Sequence, residues 1–381
     1  MINQIRGYWA WLFYLATLST SYVLTVSCSN VLIYGVSLLG ICIIFTSIGT
    51  IYRGRVLSCT PFVLGYFVAI FLYQFTFGLI NETERSWSYF ISKSVVCLSL
   101  GVSIPSNLSF YKEKFLDYTS VLAAVFIFLG VLFFRVDFAG RYALGFGNPN
   151  GLGAVAAIAC GSLIIFSNLP KNLRLICIIM CSVGVLMSGS RSAIGILVMS
   201  LLIKYGLKPR LLLTATFLLI AVLLISQILN VQSVGIERFY QTVSTMDLSS
   251  NRAEEREATM LMIQSSPLTG NGLYAQQSEA AKVISELGSH CGYLDILKMM
   301  GIPFGGGLII YILFQTLTLF LHFVKSPYLY EKAHLFIIVS IIFAAFFEAY
   351  IWGVFQVTTT MLFISFSTLQ SIYYNHDKNA K

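Results

Sequence analysis

Tyr118-Thr119-Ser120-Val121-Leu122-Ala123-Ala124-Val125-Phe126-Ile127-Phe128-Leu129-Gly130-Val131-Leu132-Phe133-Phe134 runs without a charge between Asp117 and Arg135. Its reading decides the fold class. A helix of roughly 20 apolar residues crosses the hydrocarbon of a bilayer. A barrel strand would alternate with period two, and this run does not. Similar runs recur at about 8–27, 31–51, 60–80, 88–104, 149–167, 172–188, 191–205, 210–230, 300–323, 333–349 and 352–373. Of the 381 residues, 57% are hydrophobic and 10% are charged. The mean hydropathy is +0.81. A soluble domain carries about 25% charged residues. The deficit extends along the whole length, so the sequence predicts an all-α polytopic membrane protein. It has about twelve transmembrane helices in a single integral membrane domain, 1–381. The 30 Phe and 21 Tyr suit lipid-facing helices and interface belts. No small-residue cleavage site follows the first run, which reads as a retained span.

Charge sets the orientation. With a cytoplasmic N-terminus, the inner segments hold 14 of the 24 basic residues but 4 of the 16 acids. Each inner loop then carries at least two cations, the pattern of an inward-facing positive bias. Both termini are expected in the cytoplasm. The formal net charge of +8 is thereby an orientation signal, and no nucleic acid is expected as partner. The other ten cations fall outside or at outer span ends: Arg85, Lys93, Arg135, Arg141, Arg191, Arg238, Arg252, Arg256, Lys282 and Lys298. Several of these need another reason to be there. The eight cysteines form no CxxC pair, so neither a disulfide framework nor a zinc site is supported.

The segment 231–298 is the one long polar loop, and it faces the periplasm in this orientation. Within it, 251–260 reads as an amphipathic helix ended by Pro267 and Gly270. Four outward clusters could carry chemistry. Gly140 to Gly153 is glycine-dense, holds Arg141, Asn148 and Asn150, and ends in a helix start whose amides can bind an anion. Ser188-Gly189-Ser190-Arg191-Ser192 is the whole connection between two spans, where an Arg needs a partner or a watery recess. Arg252 and Arg256 sit on the loop helix, ahead of Pro267 and Gly270-Asn271-Gly272. His290 lies at the membrane boundary before Tyr293 and Gly301, and is the one His of four on the outer side. The imidazole group titrates near neutrality, which suits a general base. A P-loop, HExxH, GxSxG and paired-carboxylate metal motifs are all absent from the sequence. Neither metal nor cofactor is expected. Cations beside one base point to phosphate held by Arg.

These clusters, in this order, resemble the O-antigen polymerase and O-antigen ligase superfamily of bacterial inner membranes. The resemblance rests on four motifs: Gly147 to Gly153, Ser188-Gly189-Ser190-Arg191, Arg252 with Ser266 to Gly272, and His290 with Gly301. It covers roughly 140–310. It implies a GT-C-like architecture and inverting glycosyl transfer from an undecaprenyl-diphosphate-linked saccharide, without a metal. By the same resemblance, Arg191, Arg252 and His290 match functional positions. Arg191 and Arg252 would clamp the diphosphate, and Arg141 is a candidate third clamp. His290 would take the acceptor proton. Asn148, Asn150, Arg256 and Tyr293 are candidate substrate-binding residues, and short helices of the periplasmic loop carry part of the site. The partners implied are lipid-linked donor and acceptor oligosaccharides and membrane lipids, with a chain-length regulator protein as a further candidate.

Three activities fit to different degrees. A polymerase joins repeat units while both remain on lipid carriers. A ligase transfers finished glycan to lipid A-core. A transporter or flippase should show broken helices or ionisable groups at mid-membrane, whereas here the span middles are nearly charge-free. The polymerase is the leading expectation.

Overall fold

The computed structural model describes residues 2–22, 26–52, 60–80, 84–134, 137–138, 141–206, 253–273 and 290–379. Among them are twelve α-helices: α1 Ile2–Thr20, α2 Val26–Tyr52, α3 Pro61–Thr76, α4 Glu84–Ser106, α5 Phe115–Phe133, α6 Pro149–Ile165, α7 Lys171–Ser188, α8 Arg191–Tyr205, α9 Ala253–Ser265, α10 Gly292–Phe323, α11 Leu329–Ala344 and α12 Val357–Asn379. A two-stranded antiparallel hairpin, β1 Asp137–Phe138 and β2 Arg141–Tyr142, lies between α5 and α6. By length and composition, four helical segments can cross a bilayer: Ser86–Ser106, Phe110–Phe133, Lys171–Ser188 and Gly292–Phe323. Shorter apolar helices cover Val31–Ser47, Pro61–Thr76 and Pro149–Ile165. The chain is an all-α polytopic membrane protein.

Eleven of the twelve expected spans fall on helices, and the twelfth, 210–230, lies outside the described residues. The helix α9 is the expected loop helix. It stops before Pro267, whose ring would clash within a continuing helix. At the centre stands α6, buried on nearly every face. Its Gly153, Ala154, Ala156, Ala157, Ala159 and Gly161 keep its surface flat, so α5, α7, α8 and α11 close onto it. Without a hydrophobic force between helices in lipid, such small residues gain their stability from close van der Waals contact.

Two boundaries differ from expectation. The first is the start of α10, eight residues earlier than the predicted span, with a break at Gly301 (φ 70°, ψ 174°). The break frees carbonyls at Lys298 and Met299. The strap Pro267 to Gly272 takes them up. Asn271 N–H donates to Lys298 O (3.0 Å), Gly272 N–H to Met299 O (3.0 Å), and Ile302 N–H to Pro267 O (2.7 Å). The Asn271 side-chain amide adds a bond to Lys298 O (3.0 Å), and the Tyr73 hydroxyl one to Met299 O (2.7 Å). A Cβ at Gly301 would strike the Leu268 carbonyl, and one at Gly270 the Met299 carbonyl. The spacing of these motif residues is thus a backbone crossing. Gly301→Val should destabilise by about 3 kcal/mol, since this φ/ψ region is nearly glycine-only. A lowered melting temperature of the solubilised protein would register it; an unchanged one would refute the crossing.

The second difference is the link between α11 and α12. A two-residue turn was expected, but 345–356 is non-helical. Side chains from neighbouring helices satisfy its carbonyls, as buried backbone requires. Lys93 Nζ donates to Gly353 O (2.7 Å) and Trp352 O (3.3 Å). Thr359 Oγ1 donates to Tyr350 O (2.7 Å). Lys93, one of the ten cations expected outside or at outer span ends, sits in α4, buried, with its ammonium over the Tyr66 and Phe363 rings. Its charge is a staple for this link.

Candidate active site

The helix α7 ends at Ser188, Gly189 takes the left-handed conformation (φ 57°), and α8 begins at Arg191. The five-residue cluster is therefore the whole connection, as the sequence predicts. Ser190 N–H donates to Ser188 Oγ (3.2 Å), and the Ser190 and Ser192 hydroxyls pair at 2.9 Å. Gly153, one turn into α6, lets this serine turn rest on the helix, because a Cβ there would meet Ser188 and Ser190. Asn148 caps α6, its side-chain oxygen accepting from Asn150 N–H (2.8 Å).

From that helix start a chain of polar contacts leads to His290. On β2, Arg141 donates through Nε to Ser188 O (2.7 Å) and through a terminal amine to the side-chain oxygen of Asn150. The Asn150 amide donates to Glu348 Oε1 (2.7 Å), and the Tyr350 hydroxyl donates to Asn150 O (2.9 Å). The other Glu348 oxygen lies 3.5 Å from His290 Nδ1. On the opposite edge of the ring, Nε2 is 3.6 Å from Glu255 Oε2 on α9. The His290 side chain is 33% exposed, against 9% for Glu348 and 14% for Glu255. One edge of the imidazole therefore faces inward and the ring remains reachable from outside. His290 has φ 46°, unusual for a residue with a Cβ. Gly292 N–H donates to Ala345 O (2.8 Å) and fixes this turn against the α11–α12 link.

Arg141, Asn150 and His290 are thus gathered, with the Arg191 turn attached through Ser188. Arg191 opens α8 and is exposed. Arg252 lies outside the described residues. Arg256 is exposed on α9, and the α9 side chain at His290 is its neighbour Glu255. Tyr293 is a candidate substrate-binding residue whose contacts in the structure are internal. Its hydroxyl donates to Ile342 O (2.7 Å) and its ring packs on Phe346, so it wedges the start of α10 against the end of α11. Lys298 pairs with Asp295 at 3.2 Å. Among the described residues, no three His, Cys, Asp or Glu side chains gather in a metal-ligand cluster.

A part-exposed imidazole flanked by two carboxylates thus stands in one polar network with the start of α6 and the turn that carries Arg191. Residues 175–312 match the O-antigen ligase family. The matched stretch is just over a third of the chain, and it overlaps most of the region, 140–310, that carries the resemblance. No curated protein matches the chain. The matched stretch contains Arg191, Arg252, Glu255 and His290, while Arg141, Asn150 and Glu348 lie outside its bounds.

Sequence reasoning missed both carboxylates. Glu255 looked like one more charge on a solvated helix. Glu348 did leave a signal: it is the sole acid in the apolar run 333–349, and an ionisable group in such a run is a functional candidate by default.

Proposed function

We propose that this protein is an O-antigen polymerase of the bacterial inner membrane with its site facing the periplasm. It transfers a glycan from undecaprenyl diphosphate onto the sugar of a second lipid-linked repeat unit. The acceptor hydroxyl attacks the anomeric carbon from the face opposite the diphosphate. Its proton goes to His290 Nε2, and the bond from carbon to the diphosphate oxygen breaks with inversion. The leaving group takes the electron pair and is held by Arg191 and Arg252. A diphosphate departs readily, so cations and one base suffice.

The observation that carries the polymerase reading is the pair of carboxylates, Glu255 and Glu348, on either side of the base. The loop 231–298 is acidic as well, with five cations against eight acids, a net charge of −3. Lipid A-core is rich in phosphate and would be repelled there. A mostly sugar acceptor is not. Deleting the gene should leave lipopolysaccharide capped with single repeat units, one band above bare core. Bare core with long polymer accumulating on undecaprenyl diphosphate would identify a ligase and overturn the polymerase assignment.

A further inference from the structure

We propose that Glu348 is the positioning residue for His290, locked in place through Asn150 and Arg141. This rests on the reading of His290 as the general base. Both carboxylate oxygens of Glu348 have defined neighbours: Oε1 accepts from the Asn150 amide (2.7 Å) and Oε2 faces His290 Nδ1 (3.5 Å). Asn150 cannot rotate to release it. Its side-chain oxygen accepts from Arg141, and its backbone carbonyl accepts from Tyr350 (2.9 Å). Arg141 in turn is held by the Ser188 carbonyl (2.7 Å). The carboxylate is thus fixed by β2, the start of α6 and the link between α11 and α12.

A carboxylate beside Nδ1 selects the tautomer that carries its proton there. The lone pair is then on Nε2, the edge that must meet the acceptor hydroxyl. When Nε2 takes the proton, the imidazolium charge forms next to a carboxylate already in place, so little reorganisation accompanies the step. Glu255 is not equivalent. It stands at the Nε2 edge, on the loop helix, and its Oε2 has no hydrogen-bond donor among the described residues. Arg141 gains a different role from the diphosphate clamp expected of it: two of its donors serve the protein, and it acts on the base through Asn150.

The test uses full-length purified protein and undecaprenyl-diphosphate-linked repeat units extracted from the producing strain with this gene deleted. In Glu348→Gln the amide oxygen still accepts from Asn150, so folding is preserved while the charge is lost. We expect kcat to fall by about 10- to 10³-fold, with KM within about two-fold and an unchanged melting temperature. Glu348→Asp should recover part of kcat, because the charge returns at a longer distance. The double variant His290→Ala/Glu348→Gln should be no slower than His290→Ala, since Glu348 acts through the imidazole. Wild-type kcat in Glu348→Gln overturns the proposal. So does a further loss in the double variant, or a loss expressed in KM and melting temperature alone. Wild-type kcat in His290→Ala would sink the general-base reading itself, and this proposal with it.

Discussion

Replacing His290 with Ala should lower polymer formation by about 10²- to 10⁴-fold, the usual cost of losing a general base. The side chain is one-third exposed and belongs to no apolar cluster, so the loss should not come from unfolding. Two features make a second variant useful. His290 sits at φ 46°, where a Cβ is strained, and Asn tolerates that region better than Ala. His290→Asn should therefore keep the turn and still lose activity, since an amide takes no proton at neutral pH. Conversion of purified lipid-linked repeat units, normalised to folded protein, separates the two effects. A His290→Asn enzyme running at the wild-type rate would remove the imidazole from the mechanism.

Arg191→Lys should be nearly as damaging, by about 10- to 10²-fold in kcat/KM, although the charge is kept. Arg191 is the first residue of α8, beside helix-start amides that already favour an anion. A guanidinium grips two phosphate oxygens with a planar fork, whereas an ammonium offers a single point charge. The gain from the fork grows as negative charge collects on the departing diphosphate, so kcat should fall along with kcat/KM. Assay of the Lys variant with the same lipid-linked units decides the matter. A wild-type rate would mean that simple charge suffices and that the fork has no role.

The parts of this site that could be read in the sequence are those built from neighbours along the chain. Ser188 to Ser192 forms a complete turn, and Asn148-Pro149 is a helix start by local chemistry alone. Gly301 and Pro267 to Gly272 were visible as a motif, but their role as a backbone crossing was not, because it joins residues about 30 positions apart. Glu348 was harder still. It meets Asn150 across 198 residues, and no periodicity or spacing encodes such a pair. The packing of Tyr293 was not legible either: the chain after His290 and Cys291 turns its ring onto Phe346 and its hydroxyl to Ile342 O.

The sequence by itself determined the fold class, the approximate spans and the loop helix. Each follows from local properties: unbroken apolar runs for which lipid leaves helices as the solution, and short segments whose glycines, prolines and caps end them. The tertiary structure decided which partners the buried charges meet. Lys93 became a staple for the α11–α12 link, Arg141 a holder of Asn150, and Glu348 the neighbour of His290. The physical reason is that a buried charge is tolerated where partners satisfy it, and those partners come from segments far apart in the chain, such as the α11–α12 link and β2, that packing brings together.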